Sequence, residues 1–527
     1  MTVYDMPLEM LSRIACSIDS RPDLLSLAIT CKSLYSIISP SHLQYHDIRT
    51  PLAMPLLWKR LAHHDDCHAP MIRSLTILYN NRAFTGLADL VGDAASEERL
   101  PEEYREPHGR GNAVVHGPFH EAELLRQWES DFMLALKRMK NLRRFRWYRR
   151  TPVIQGDNDI WSALNDLGTV KDVQFVDLQC RHGRIELNTP PIIASPSFLS
   201  LQGLSSLDVR KEELSSIATA TDVTPLLTML VQRCPDIQNL HLHLDFSLQS
   251  SGANIDFLIE HADWPNLRTL YLHGFRGRAS LFSRFLDRHG SIESLTLSHM
   301  ALDVGWRRLS LSDGALPNLL TVNCDSRVAA AILKNASVAA NLRSLQWIDL
   351  EQMTSVDTYA AWDNASGEQD VEAGTYGSSV PPWSIQLAEA MMARPSIVTL
   401  GYRVRRMVDP TKLGEVLFIA PNVTELSIPG SASALFSEIS AHSDLVRTSS
   451  SLTMQLEHIE TKEHATKSLF RVIAVLFPKS SVIADPSVGL KAVIIQREED
   501  GRVTWVRRRL NESSEARIFA WEDVYTA

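Results

Sequence analysis

Beyond residue 140 the chain repeats a six-residue motif. An apolar residue is followed by two variable residues, a second apolar residue, one variable residue and a third apolar residue. The motif begins at Leu142, Val170, Leu204, Ile237, Leu267, Ile292, Leu319, Leu342, Ile397 and Val423. Successive motifs begin roughly 23 to 34 residues apart, with one longer interval after Leu342. Alternating apolar positions predict a short strand in each motif, and the period predicts a repeat architecture.

Apolar stretches with helical spacing lie between the motifs, as at residues 225–231 and 281–286. A proline followed by Asn, Asp or Ser often stands just before a motif, as at Pro235 and Pro265, where it ends the preceding helix. Each repeat is therefore expected to supply one strand and one helix. The prediction is an α/β chain in which residues 137–484 form a curved solenoid.

The N-terminal residues have a different pattern, with apolar residues spaced by three or four. Pro7 suits the first turn of a helix that carries Leu8, Leu11 and Ile14. Further apolar turns follow at residues 24–28 and 34–38, and Pro40 ends the last one. Three short helices bury too little surface to be stable alone, so their apolar faces need another chain or the adjoining domain.

Residues 6–11, 23–25 and 30–34 resemble the F-box family, and the repeats are similar to the irregular, cysteine-poor leucine-rich arrays of fungal F-box proteins. The resemblance implies the substrate-recognition subunit of an SCF-type E3 ubiquitin ligase, which is not itself an enzyme and needs no cofactor. It implies a Skp-type adaptor as partner and, through it, a cullin. The implied adaptor contacts are Pro7, Leu8, Leu11, Ile14, Leu24, Leu25, Cys31 and Leu34. The alternative is a helical cap on a repeat scaffold without a ligase role.

The predicted domains follow from these patterns. Residues 1–48 form the F-box, and residues 49–136 form a linker and first irregular repeat with a mobile loop at 92–118. The solenoid carries an acidic insertion at 349–382, which is rich in Asp, Glu, Ser, Gly and Thr. Residues 485–527 form a capping hairpin and tail, because two apolar runs flank Asp500 and Gly501.

The variable motif positions are expected on the concave strand face, opposite the core. The resulting substrate-binding candidates are Arg144, Arg146, Tyr148, Arg210, His241, His243, Tyr271 and His273. Arg144 and Arg146 belong to a basic cluster at residues 137–150 that suits an acidic or phosphorylated protein segment, because guanidinium groups bind such anions bidentately. A solvated edge strand is an equal alternative, with Phe145 and Trp147 in the core. Binding of nucleic acid by the basic cluster is a weaker alternative.

His241 and His243 also resemble the strand-borne H-x-H of zinc-dependent amidohydrolases. That motif belongs near the start of a barrel, whereas this pair lies in the fourth of ten similar motifs. Phosphate-loop, dinucleotide-binding, zincin and serine-hydrolase motifs do not occur in the sequence. No metal is therefore expected.

Composition narrows the partners and the compartment. With 53 Lys and Arg against 62 Asp and Glu, the net charge of -9 provides no general attraction for nucleic acid or anionic membranes. The apolar runs are too short to span a bilayer, and the six scattered cysteines form no disulfide pattern. The N-terminus lacks the features of a signal peptide. We expect the protein in the cytoplasm, the nucleus or both.

Overall fold

The computed structural model describes residues 6–78, 118–178, 192–212, 222–244, 253–302, 309–349 and 387–403, with short internal gaps, and six strands between 425 and 521. The chain forms two compact units. The first comprises residues 1–267 and 271–276, and the second comprises residues 268–270 and 277–527.

Three helices begin the first unit: α1 (Leu8–Ser17), α2 (Arg21–Ala28) and α3 (Lys32–Ile38). The Ser20 side chain accepts a hydrogen bond from the Asp23 amide at the start of α2, and the Cys31 side chain accepts one from the Leu34 amide at the start of α3. A π-helical turn (Ser39–Leu43) leads to α4 (Gln44–His46). The helices share a core of Ala15, Leu24, Ala28, Leu34, Ile38 and Leu43.

The helices that follow are α5 (Pro55–Ala62), α6 (Pro118–Leu136), α7 (Ile160–Leu167), α8 (Thr224–Arg233) and α9 (Asp256–His261). Single 3-10 turns form at Ala69–Met71, Ile192–Ala194 and Phe198–Ser200. The second unit contains α10 (Ala279–Arg288) and α11 (Ser326–Leu333). No described helix combines the length and apolar character that spanning a bilayer requires.

The strands up to residue 277 are β1 (Asp47–Pro51), β2 (Ser74–Leu78), β3 (Arg144–Trp147), β4 (Asp172–Leu178), β5 (Ser206–Glu212), β6 (Asn239–Leu244), β7 (Ala253–Asn254), β8 (Thr269–His273) and β9 (Phe275–Gly277). Strands β1 to β6 pair in chain order, each parallel to the next. Strand β7 pairs with β9.

Aromatic rings fill the core of the first unit between this sheet and its helices. The ring of Phe145 lies 6.2 Å from Trp147 and 5.9 Å from Trp161, and Trp161 in turn lies 5.1 Å from Phe198. Phe145 and Trp147 are fully buried. Their assignment to the core is therefore confirmed, and they are not exposed stacking platforms within the basic cluster.

The strands of the second unit are β10 (Ser294–Ser298), β11 (Ala301–Leu302), β12 (Thr321–Cys324), β13 (Ser344–Asp349), β14 (Thr399–Arg403), β15 (Glu425–Ser431), β16 (Thr453–His458), β17 (Ser480–Asp485), β18 (Leu490–Arg497), β19 (Val503–Arg508) and β20 (Ile518–Trp521). Strand β10 pairs with β12, and the order then continues in parallel from β12 to β17. Strands β17 to β20 are antiparallel.

All ten repeat motifs contain a strand, and the hairpin around Asp500 and Gly501 forms between β18 and β19. Parallel strands that alternate with helices are compatible with the predicted repeat solenoid. Strands β1 and β2 are not among the strands predicted from the repeat motifs, although β2 follows the same motif beginning at Ile72. The two predicted loops lie outside the described residues, apart from Pro118 in α6 and Asp349 in β13.

A buried histidine lies beside the N-terminal helices. His42 is 3% exposed, and its Nε2 atom is 3.3 Å from the Ser12 hydroxyl of α1. Burial lowers the pKa of His42 below its ordinary value of 6.5, and the nearby charges of Arg73 and His46 lower it further. The folded protein therefore holds this imidazole neutral at a pH where the unfolded chain would protonate it.

We expect His42 to make the N-terminal helices less stable in mild acid. As pH falls below 6.5, the unfolded chain takes up a proton that the fold excludes, so stability is lost until the lowered folded-state pKa is reached. The hydrogen-exchange protection factors of the α1 amides, which correct for the pH dependence of intrinsic exchange, should fall from about pH 7.5 to about pH 5.5. The fall should be smaller in His42→Gln. His64→Gln, at an exposed position, is the control and should respond to pH like the unaltered chain. If His42→Gln also responds like the unaltered chain, His42 is not the source of the acid sensitivity.

A buried arginine connects two segments of the second unit through hydrogen bonds. Arg394 is 4% exposed, and its guanidinium donates hydrogen bonds to the carbonyl oxygens of Ala390, Asn335 and Val338 at 2.8, 2.6 and 3.1 Å. Asn335 and Val338 precede the motif at Leu342, whereas Ala390 and Arg394 lie just before the next motif at Ile397. The side chain therefore joins the residues after α11 to those before β14.

Replacing Arg394 with Met should lower the free energy of unfolding of the second unit by about 2 kcal/mol or more, because buried carbonyl oxygens lose their donors. Chemical denaturation measures the change. The exposed Arg343→Met is the matched control and should change stability by less than about 0.5 kcal/mol. Equal effects of the two substitutions would show that the buried hydrogen bonds do not stabilise the unit.

Candidate functional site

A row of polar side chains crosses four parallel strands of the first unit. Arg146 on β3 is in register with Gln174 on β4, which is in register with Asp208 on β5 and then His241 on β6. Register partners share a sheet face, so the four side chains lie on the face opposite the buried motif residues. We call this set the polar row. It matches the strand face that the sequence predicts for binding.

Asp208 is the centre of the row. Its carboxylate accepts hydrogen bonds from Arg210 Nε at 3.0 Å, Arg210 Nη2 at 2.9 Å and Gln174 Nε2 at 2.7 Å, and lies 3.3 Å from His241 Nδ1. Burial alone would raise the pKa of Asp208. The hydrogen bonds and charges of His241 and Arg210 outweigh burial, so the pKa of this carboxyl lies below its ordinary value. The row therefore holds a fixed negative charge that its neighbours neutralise.

Tyr148 does not lie where the sequence places it. It is 1% exposed, and its hydroxyl donates to Gln174 Oε1 at 2.9 Å. Burial raises the pKa of Tyr148 to about 12. The expectation of an exposed substrate contact is wrong for this residue, because its ring is enclosed and its hydroxyl supports the polar row from within.

Two of the candidate arginines already hold carboxylates of this chain. Arg144 Nε lies 2.7 Å from Asp172 Oδ2 on the neighbouring strand, and Arg210 grips Asp208 through two nitrogens. Arg146 makes no ion pair within the described residues. The positive charges of Arg144 and Arg210 are therefore already offset by carboxylates of this chain, whereas Arg146 has no such counter-charge among the described residues.

The remaining candidates stack beside the row. The rings of His243 and His273 are parallel with centroids 3.9 Å apart, and the Tyr271 hydroxyl lies 3.2 Å from His243 Nδ1. The Tyr271 ring meets His241 edge-on at 3.7 Å. In the described part of the chain, no three His, Cys, Asp or Glu side chains form a group that could hold a metal ion. The geometry gives a compact imidazole and phenol surface.

The basic cluster is partly structural. Arg138 donates to the carbonyl oxygens of Ala62 and His64, so it joins α6 to the end of α5. Arg149 lies over the Trp147 ring, 5.9 Å from its centroid. Lys137, Lys140 and Arg143 are exposed. The cluster is therefore not one anion site.

The implied adaptor contacts divide between the core and the surface of the N-terminal helices. Leu24 and Leu34 are buried in the helical core, and Leu11 and Cys31 pack partly against it. Pro7, Ile14 and Leu25 are exposed, and the Leu8 side chain lies outside the described residues. Leu24 and Leu34 are therefore interior residues that position the helices. The exposed residues are the ones that are accessible to a partner.

Three further apolar side chains on the same helices are exposed but were not predicted as contacts: Met10, Ile29 and Tyr35, which are 49%, 69% and 52% exposed. Met10 is one turn from Ile14, and Leu25 is one turn from Ile29. This spacing was available in the sequence as a signal. Gln174, and the roles of Asp172 and Asp208 in neutralising the arginines, were also not predicted. An alignment of successive motifs would have placed these three residues beside the arginines.

Replacing Asp208 with Asn should destabilise the first unit by about 2 kcal/mol at neutral pH, because Arg210 loses its partly buried counter-charge and His241 loses its carboxylate partner. The lowered pKa means that the carboxylate contributes stability above pH ~4, and that this contribution disappears as pH falls through the folded-state pKa. Denaturation of the two proteins at several pH values checks both statements. A stability difference that persists unchanged in strong acid would contradict them.

The comparisons with known proteins identify no family. No protein-family model matches the chain, and no curated protein matches it. Among solved structures, a chain in the crystal structure of the Rad7 and Elc1 complex in yeast is similar with a TM-score of 0.32 and 15% sequence identity. The match covers 57% of this chain and 66% of that chain, slightly less than two thirds of its length.

Proposed function

We propose that this chain is the substrate-recognition subunit of an SCF-type E3 ubiquitin ligase, acting in the cytoplasm or nucleus and without catalytic chemistry of its own. The helices α1 to α3 bind a Skp-type adaptor, which links the chain to a cullin. The repeats bind the protein substrate. The F-box resemblance of residues 6–34 supplies the role, and the surface of these helices supports it.

The observation that carries the proposal is the concentration of exposed apolar side chains on these helices. Five of the eight large exposed hydrophobic side chains in the described part of the chain lie between residues 10 and 35: Met10, Ile14, Leu25, Ile29 and Tyr35. Contact with a partner would bury such side chains. Full burial of one large apolar side chain contributes roughly 1.5–3 kcal/mol of free energy. An adaptor that packs against the helices would cover them.

The exposed apolar side chains are also separate from the residues that form the common core of these helices. Leu24, Ala28, Leu34 and Ile38 already fill their common core. The exposed residues therefore contribute less to the fold than these core residues, and replacing them should leave it intact. This separation makes the proposal testable by mutation.

The test is capture of a Skp-type adaptor by the full chain. The double change Ile14→Ser and Leu25→Ser should weaken capture by about 3 kcal/mol, roughly a hundred-fold, because two apolar anchors are lost. Titration of purified adaptor measures the affinity. The thermal midpoint should change little, since both side chains are exposed in the unbound chain.

Leu56→Ser is the matched control, because Leu56 is 74% exposed on α5 in the same unit. Its affinity for the adaptor should equal that of the unaltered chain. Failure of the unaltered chain to capture adaptor would reject the ligase role and favour a repeat scaffold. Equal weakening by the control would show that the proposed surface is not specific.

A further inference from the structure

The polar row leaves one guanidinium without a counter-charge. Arg144 is held by Asp172, Arg210 is held by Asp208, and Arg49 lies 3.3 Å from Asp47. Arg146 has no carboxylate partner among the described residues, and its enclosed Nε atom has no acceptor there. An anionic oxygen is the partner that such a group lacks.

Thr76 adds a second polar atom beside Arg146. It is in register with Arg146 on the neighbouring strand and is 1% exposed. Its buried hydroxyl also lacks a hydrogen-bond partner within the described part of the chain. Both unpartnered groups are hydrogen-bond donors, and the Arg146 side chain as a whole is only half-buried, so an anion can approach this donor-rich end of the row at the Arg146 guanidinium.

His241 provides a donor at the other end of the row. Its Nδ1 atom lies 3.3 Å from the Asp208 carboxylate and 3.5 Å from Arg210 Nη2, and its side chain is 30% exposed. Its Nε2 atom has no partner among the described residues. A doubly protonated imidazole donates from both nitrogens, so such a ring can bind Asp208 through Nδ1 and an anion through Nε2.

The distance between the two ends specifies the ligand. Arg146 and His241 are separated by three strand intervals, or ~14 Å at about 4.8 Å per interval. In an extended peptide, side chains four positions apart share a face and lie about 13 Å from each other. Side chains two positions apart share the same face but reach only about half that distance.

We propose that the polar row binds an extended peptide segment with two anionic side chains four positions apart, one at Arg146 and one at His241. Carboxylate and phosphate groups share the required chemistry. The residue between the two anionic positions lies over Gln174 and Asp208, where an additional negative charge would meet the Asp208 carboxylate. The inference rests on the proposed function in one respect: the segment would belong to the protein substrate.

The first test uses the unaltered chain and synthetic peptides that are uncharged except for two glutamates. The glutamates are placed two, four or six positions apart, and phosphoserine pairs at the same three spacings form a separate arm. Fluorescence anisotropy should show binding at least about ten-fold tighter at a spacing of four than at two or six in one or both arms. Spacing-independent binding in both arms, or no binding in either, would overturn the inference.

The second test assigns the ends of the site. Arg146→Gln and His241→Ala should each weaken binding of the preferred peptide by about ten- to a hundred-fold. The thermal midpoint should change little in Arg146→Gln, whereas His241→Ala also loses the contact with Asp208 and should lower it. The control replaces the neutral pair, Arg144→Gln with Asp172→Asn, and should retain the unaltered affinity. An equal loss in the control would assign binding to general charge rather than to the row.

Adaptor capture, measured on the same preparations, separates this inference from the proposed function. Capture of adaptor without a spacing preference would reject the peptide site and leave the ligase role in place. A spacing preference that depends on Arg146 and His241, in a chain that captures no adaptor, would reject the ligase role and retain the peptide site.

Discussion

Parallel, in-register pairing of strands is the constraint on which the architecture of both units depends. Buried backbone N–H and C=O groups must find partners, and each strand supplies them to the next one. Because every motif has the same length, pairing places equivalent positions side by side, so that Leu207 meets Leu240 and Asp208 meets His241. One alternation therefore builds an apolar core on one face and the polar row on the other.

The same constraint explains the charge pattern of the row. Neighbouring side chains on paired strands approach closely, so unlike charges in register attract and become partly desolvated together. Arg144 and Asp172 are such a pair. The charge that the row offers to an external ligand therefore comes from the groups that remain after internal neutralisation, of which Arg146 is the clearest, and not from the number of basic residues in the sequence.

Much of the fold could be predicted because strand periodicity is a local property. The ten motif strands, the helix at α8 and the C-terminal hairpin follow from apolar spacing and turn residues. The burial of Tyr148 could not be predicted, since it depends on what covers one end of a strand. The split of Leu24 and Met10 between core and surface likewise depends on how three short helices pack, which spacing alone leaves open.

The bridge formed by Arg394 has a consequence for chain continuity. Its guanidinium binds carbonyl oxygens at positions 335 and 338, more than fifty residues earlier in the sequence, while β13 pairs directly with β14. The two sides of the interval are thus joined by side-chain and backbone hydrogen bonds that do not pass through the intervening residues. After cleavage of the peptide backbone within that interval, the Arg394 hydrogen bonds and the pairing of β13 with β14 would still connect the two fragments, as in a split protein.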